Sequence, residues 1–249
     1  MKIIDVSKYN GVINWTKAAK NCEGVIIRAG YSGYGSGKQV TDAKFNQNIK
    51  GALAAGLKVG VYFVTQAVNI TEAKREAKYT AELLRGYEVT LPVFIDSEDG
   101  NGGKGRADHG KLSKSNRTYI VKTFCEEIEN RGYRAGIYAS ESWYKSYLDI
   151  GVLKRFYIWV AKYSKNKPTI TFDAWQYSDK GKVNGITGNV DLSDFTEIEG
   201  KTNYDIALEV LDGKWGNGIA RRLRLEAKGY DYHNIQDLVN KILKERGKK

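Results

Sequence analysis

Apolar residues in this chain gather in short runs that stop abruptly. Between the runs, apolar positions recur every three or four residues. The runs are "KIIDVS" from Lys2, "GVIIRAG" from Gly24, "KVGVYFV" from Lys58, "PVFIDSE" from Pro92, "RAGIYAS" from Arg134, "FYIWVAKY" from Phe156, "FDAWQYS" from Phe172 and "GNVDLSD" from Gly188. Runs this short, rich in β-branched and aromatic residues, read as strands. The segments between them read as amphipathic helices. Asp42 to Ala55 carries Phe45, Ile49 and Leu53 four apart, with Gly56 as the stop. Thr71 is the expected N-cap of a helix ending at Gly86. Ser113 or Ser115 opens another, on which Ile120, Phe124 and Ile128 share a face before Gly132. Continuous apolar strands alternating with helices predict a parallel sheet covered by helices. About eight of them predict an α/β fold, a TIM-like β/α barrel. The last three strands follow too closely for full helices, so the barrel is expected to be irregular.

After "DFTEIEGKTN" only helical patterns remain. Ile206 and Val210 share a face, Gly213 ends that helix, and "KWGNG" forms a loop. A second helix runs from about Ile219 to Gly229, and a third carries Ile235, Leu238, Val239, Ile242 and Leu243 at amphipathic spacing. The expected division is a barrel over 1–197, a linker over 198–202 and a small all-α, three-helix module over 203–249.

Composition narrows the function classes. At 41% hydrophobic and 12% aromatic, the 249 residues can bury a substantial core. The longest apolar runs fall far short of the roughly 20 residues a membrane span needs, so no membrane insertion is expected. Asp5 stands where a signal peptide would need its apolar stretch, and no secretory signal is visible. Cys22 and Cys125 read as buried free thiols. His109 and His233 have no Cys or His at ligand spacing, so neither a zinc site nor any other cofactor is expected. The formal charge of +11 favours a polyanionic partner. Basic residues are scattered, with no basic helix or zinc-finger spacing, which argues against nucleic acid. A cell-wall polymer bearing phosphates or carboxylates fits the same charge, and so does a merely well-solvated surface.

The chemistry concentrates at "FIDSEDG". In a strand, residues i and i+2 point the same way, so Asp96 and Glu98 face one space. In β/α barrels, reactive groups sit at the C-terminal strand ends. Asp5 ends the first strand and Asp191 falls on the last, so four acids are expected to converge on one mouth. Tyr62, Tyr138, Trp159 and Trp175 lie near strand ends and are candidates to stack on a sugar, with core packing as the competing role. Two glycine-rich stretches, "GYGSGK" from Gly33 and "GNGGKG" from Gly100, fail the phosphate-binding patterns and read as mobile loops beside the mouth.

These residues carry a resemblance. "IDVSKYNGVINW", "YGSGKQVTDAKFNQNIKGALAAGLKVGVYF", "FIDSE", "GIYAS", "WVAKY" and "WQYSDKGKVNGITGNVDLS", in that order over about residues 1–197, resemble glycoside hydrolase family 25, the muramidases of phages and bacteria. The resemblance implies hydrolysis of the β-1,4 bond between N-acetylmuramic acid and N-acetylglucosamine in bacterial peptidoglycan, of the Gram-positive kind. It implies Glu98 as general acid, with Asp96, Asp5 and Asp191 as companions, and retention of configuration. Either the substrate's acetamido group or a carboxylate attacks. Where the family often has His after the third-strand tyrosine, this chain has Phe63 after Tyr62. A different glycan hydrolase with a similar acid pair, or a binding protein without activity, are the other classes to weigh. The tail "IALEVLDGKWGNGIARRLRLEAKGYDYHNIQDLVNKIL" resembles the cell-wall-binding repeat of Cpl-seven type, which implies muropeptide binding. By that analogy Trp215, Asn217 and Arg222, with Arg221 and Arg224 beside them, are candidate wall contacts. One copy binds weakly, which leaves self-association or separately made tail fragments open as a source of avidity. The whole resembles a phage endolysin, held in the host cytoplasm before lysis and acting at the wall.

Overall fold

Eight strands close into a ring whose order follows the chain almost without interruption. The computed structural model describes residues 1–85, 87–198, 200–201, 203–228, 230 and 232–247. Strand β1 (Lys2–Val6) pairs in parallel with β2 (Gly24–Ser32), and a short β3 (Gln39–Thr41) folds back on the end of β2 outside the ring. The ring continues in parallel through β4 (Lys58–Val64), β5 (Val93–Asp96), β6 (Ala135–Ser140), β7 (Tyr157–Ala161) and β8 (Ala174–Gly181). It is closed by β9 (Val190–Phe195), which runs antiparallel to both β8 and β1. The all-parallel expectation is therefore corrected at the last strand. Only residues 182–189 separate β8 from β9, enough for a hairpin and too few for the crossover that a parallel pair requires.

Helices α1 (Trp15–Ala18), α2 (Phe45–Ala54), α3 (Ile70–Leu83), α4 (Lys114–Glu129), α5 (Glu141–Tyr147) and α6 (Ile150–Leu153) follow the strands they cover. Three of their starts show how local chemistry sets a boundary. α2 begins three residues after Asp42, because the Asp42 carboxylate accepts from the Lys44 backbone N–H and its carbonyl from that of Phe45. α3 is capped by Asn69, whose side chain accepts from Glu72 N at 2.9 Å, so the expected Thr71 cap lies inside the helix. Its expected stop, Gly86, lies outside the described residues. α4 is capped by Ser113 rather than Ser115.

Two apolar layers result. One lies between strands and helices. The other fills the ring, with Ile3, Ile26, Leu91, Phe94, Tyr138, Trp159 and Phe195 in contact. Phe94 lies against β6 where only Gly136 leaves room, since a Cβ there would collide with its ring. Cys22 and Cys125 are buried free thiols.

Beyond the ring come α7 (Asn203–Leu211), α8 (Gly218–Ala227) and α9 (Tyr232–Arg246). They share a core of their own, Ile206, Ala207, Val210, Leu225, Ile235, Leu238, Val239 and Ile242. Leu243, expected on that face, is instead 52% exposed. The expected stop of α8, Gly229, lies outside the described residues. The chain leaves the ring near Gly200, whose carbonyl accepts from Arg134, just ahead of β6. That is the N-terminal end of the barrel, opposite the C-terminal strand ends. Among the described residues no helix is long and apolar enough to cross a membrane.

Candidate active site

The four acids expected at the mouth do meet there. A cavity of about 220 Å³ is lined by Asp5, Tyr62, Asp96, Glu98, Tyr138, Trp159, Tyr163, Gln176 and Asp191. Asp5 and Asp191 are directly opposed across the antiparallel β1–β9 pair. That register holds two carboxylates too close for both to ionise freely, so they titrate as a pair. Burial pushes Asp5 well above the usual carboxylate range, and the charge of Asp191 pushes further. Asp191, half-buried, is raised by burial as well.

Asp96 ends β5 and is 4% exposed. Burial raises its proton affinity first, then Glu98 and Asp5. Its Oδ1 is buried without a hydrogen-bond partner. Glu98 lies just past the strand, yet still shares a side with Asp96. Between them Ser97 turns away, and its hydroxyl accepts from the Trp143 indole at 3.2 Å. Glu98 keeps an exposed surface in a concave, acid-lined setting. Desolvation by the surrounding walls, then the charges of Asp99 and Asp191, push it up to about 7.

Gln176 organises the far wall. Its Nε2 donates to Asp5 at 2.9 Å, and its Oε1 accepts from the hydroxyls of Tyr138 at 2.8 Å and Tyr163 at 2.9 Å. Neither Gln176 nor Tyr163 was singled out from sequence. Gln176 carried a readable signal, since it stands two residues after buried Ala174 on a period-two strand. Of the aromatic candidates, Tyr62 and Tyr138 line the cavity. Trp159 is its floor, packed on Phe94 and Phe195 with its indole on Ser193. Trp175 is not among the lining residues. It alternates with Gln176 to the other face, and its indole donates to the Lys162 carbonyl. Phe63 packs edge-on against Tyr79 outside the ring, so the departure from His leaves the cavity lining unchanged.

The loops expected to be mobile are pinned. Asp108 accepts from Gly100 N and Gly105 N, while Arg117 donates to the carbonyls of Ala107 and Asp108 and lies over the Trp143 ring. Arg106 pairs with Glu72 at 2.9 Å and its guanidinium packs on Gly37, a positive-φ position. That contact ties the Gly33 loop to the loop carrying Glu98. Among the described residues no group of three or more His, Cys, Asp or Glu could hold a metal ion.

In the helical module, Trp215 stacks edge-on against Tyr230 and donates to Glu209, and Asn217 accepts from Arg221. Arg221 and Arg224 reach back to the carbonyls of Gly216 and Trp215. Arg222 points away from that loop, toward Glu226 at 2.7 Å and the Tyr232 ring. The structure therefore sets Trp215 and Asn217 on one loop, tied down by Arg221 and Arg224, and directs Arg222 away from it.

A closed β/α barrel with four carboxylates gathered at one mouth, from the ends of β1 and β5 and the start of the reversed β9, places the chain among barrels of glycosidase type. The family model for glycosyl hydrolases family 25 matches residues 4–186, and the chain belongs to that family. A CW_7 repeat matches residues 204–243. The chain is 30% identical over 79% of its length to the autolytic lysozyme of Clostridium acetobutylicum, and covers 56% of that protein. It is 28% identical over 74% of its length to the lysozyme of Streptococcus phage Cp-7, covering 55% of it. Its fold matches the modular autolysin LytC from Streptococcus pneumoniae, solved with a synthetic peptidoglycan ligand. The TM-score is 0.67 at 30% identity, covering 77% of this chain and 46% of LytC. The chain thus spans about half the length of these relatives.

Proposed function

We propose that the protein is a lysozyme of endolysin type, an N-acetylmuramidase that cleaves the β-1,4 bond between N-acetylmuramic acid and N-acetylglucosamine in peptidoglycan. One observation carries this reading. Among four clustered acids, Glu98 alone combines an exposed carboxyl with a proton affinity raised to about 7. A glycosidic oxygen leaves poorly unless protonated, and Glu98 can hold a proton near neutrality and reach a substrate. The Asp5–Asp191 pair and Asp96 supply negative charge for the oxocarbenium-like transition state. The unpartnered Oδ1 of Asp96 suits the N–H of a 2-acetamido group, orienting its oxygen for attack on the anomeric carbon. That route, like direct attack by a carboxylate, retains configuration.

Residues 1–197 would then form the catalytic barrel, 198–202 the linker and 203–249 a muropeptide-binding module. Both parts are basic: residues 201–249 carry 11 basic and 7 acidic residues, a net of +4, which leaves +7 for residues 1–200. Attraction to an anionic Gram-positive wall would involve the whole surface. A phage origin, release from the host cytoplasm to the wall at lysis, and avidity through self-association complete the proposal. The similarity to a phage lysozyme and the single wall-binding repeat support it.

The test is to digest purified Gram-positive peptidoglycan, reduce the products with borohydride and identify the new reducing-end sugar by mass spectrometry. Muramitol is expected. Glucosaminitol would reassign the bond, and wall binding without new reducing ends would make the protein a binder.

The rate should also report on Glu98. Because its proton affinity is raised, the active protonated form dominates at lower pH and is lost as pH rises through about 7. On the acid side, activity declines as Asp96 and the Asp5–Asp191 pair take up protons. Their raised affinities place that limb above the usual carboxylate range. Initial rates at fixed ionic strength should trace a bell with its alkaline limb near 7. A flat profile from 6 to 9 would remove Glu98 from the acid role.

A further inference from the structure

The acids occupy β1, β5 and β9, but a second group of side chains on the β1–β2 rim has no part in that chemistry. Lys8 and Tyr9 lie on the turn that follows β1. The turn is closed at both ends, since Ser7 Oγ accepts from Tyr9 N at 3.3 Å and Asn10 Oδ1 accepts from Ser7 N at 2.9 Å. It is also held from beneath. The buried carboxylate of Asp42 accepts from Lys8 N at 3.1 Å and pairs with the Arg28 guanidinium at 2.6 Å. Arg28 in turn sits over the rings of Tyr9 and Tyr31 at 5.0 and 5.7 Å, and the Lys8 ammonium lies 5.2 and 5.9 Å from the same two centroids.

A cation–π staple explains Arg28 and Tyr31, both well packed. It does not explain why Tyr9, on a turn whose backbone is held, presents 80% of its surface to solvent. Nor does it explain the Lys8 ammonium, which meets no carboxylate among the described residues. An exposed ring on a fixed turn, with a cation beside it that meets no carboxylate among the described residues, is suited to a ligand with an apolar face and a negative charge.

The rim runs into the acid cavity. Tyr34, 40% exposed, packs against Gly100, two residues past Glu98. Besides partial burial, its hydroxyl feels Asp96, Tyr9 and Glu98 together. Arg28 stands directly across the β2–β4 pair from Tyr62, which lines the cavity. A polymer bound across the acids would reach this rim with its next group.

We propose that Lys8 and Tyr9 form a substrate subsite beside the acids, in which the Tyr9 ring stacks on a sugar face and the Lys8 ammonium pairs with a carboxylate on the lactyl arm of muramic acid. The inference rests on the muramidase reading. The carboxylate has two sources: the lactyl group itself, free once the stem peptide is removed, or the stem peptide, when it is still attached.

The experiment measures kcat and KM on soluble glycan fragments, either peptide-bearing or stripped by an amidase, using the full chain and its Lys8→Glu and Tyr9→Ala variants. Lys50→Glu, on the exposed face of α2, controls for net charge. Lys8→Glu should raise KM about fivefold with kcat unchanged. Tyr9→Ala should raise it about threefold to tenfold. A Lys8 effect confined to stripped fragments identifies the lactyl carboxylate, and one confined to peptide-bearing fragments identifies the peptide. An effect on both means that either is read, and each of these results supports the subsite. Wild-type KM for both variants on both substrates would overturn it, as would an equal rise in Lys50→Glu. If the wild type itself releases no reducing ends, the muramidase reading fails first and the subsite falls with it.

Discussion

Replacing Glu98 by Gln should lower kcat by on the order of 100-fold or more while leaving the barrel folded, the usual share of a general acid. Gln matches the carboxylic acid in size and can still hydrogen-bond to the leaving oxygen, but it has no proton to transfer. The loss should therefore appear in kcat and kcat/KM alike, with KM little changed. Residual activity should lack the alkaline limb near 7, because the group that titrates there is gone.

Stability should move the other way. A carboxyl whose folded proton affinity is raised favours the folded state fully below its unfolded pKa. That contribution is lost as pH rises through about 7. At neutral pH the amide removes this liability, so the melting temperature should hold or rise as activity falls, the trade expected where an active site stores unfavourable charge. Reducing-end assays and thermal melts on one preparation would check both. Wild-type turnover in Glu98→Gln would remove Glu98 from the chemistry, and a loss accompanied by a sharply lower melting temperature would mean a structural role.

The same electrostatics explain how much of the site was legible. Eight apolar runs became the eight strands of the ring, because a strand buried on both faces has little choice of residues. Asp5, Asp96 and Glu98 were readable because an acid where an apolar run stops is an unfavourable place for a charge without a use, whereas Asp191 opens its strand and was readable only as an acid on the last one. Direction was less legible than identity: β9 reverses because of a short connection rather than its own composition. Pairs across the sequence were invisible. Gln176 meets Asp5 over a separation of 171 residues, and nothing local in "WQYS" marks that partner. Trp175 drew attention as an aromatic, while the alternation that turns it away from the cavity depends on a register only the sheet supplies. The glycine-rich loops looked mobile because their restraints, Arg106, Asp108 and Arg117, lie within or beyond them and act through side chains.

Asp42, in sequence only the start of a helical segment, is a buried charge outside the mouth. Its side chain is fully buried and that of Arg28 is 11% exposed. Asp42 accepts from Arg28 Nε at 2.7 Å and from the backbone of Lys8 and Lys44, and Arg28 Nη2 lies within ion-pair distance at 2.6 Å. Asp42→Ala should therefore cost about 3–5 kcal/mol, the range for breaking a buried pair from one side. For a chain of this size that lowers the melting temperature by roughly 6–20 °C. The large term is the Arg28 charge left uncompensated among Tyr9 and Tyr31, not the attraction lost. A double variant separates the two. Asp42→Leu with Arg28→Met removes both charges and should recover most of the stability, because an apolar pair of similar volume needs no ion partner. If the double variant stays as unstable as Asp42→Ala, the backbone bonds to Lys8 and Lys44 carry the stability instead. A cost below about 1 kcal/mol for Asp42→Ala, the range of exposed pairs, would mean that solvent screens this pair despite its burial. Chemical denaturation of the three proteins decides among these outcomes. It also decides whether the Lys8–Tyr9 turn owes its position to a buried ion pair or to its own backbone.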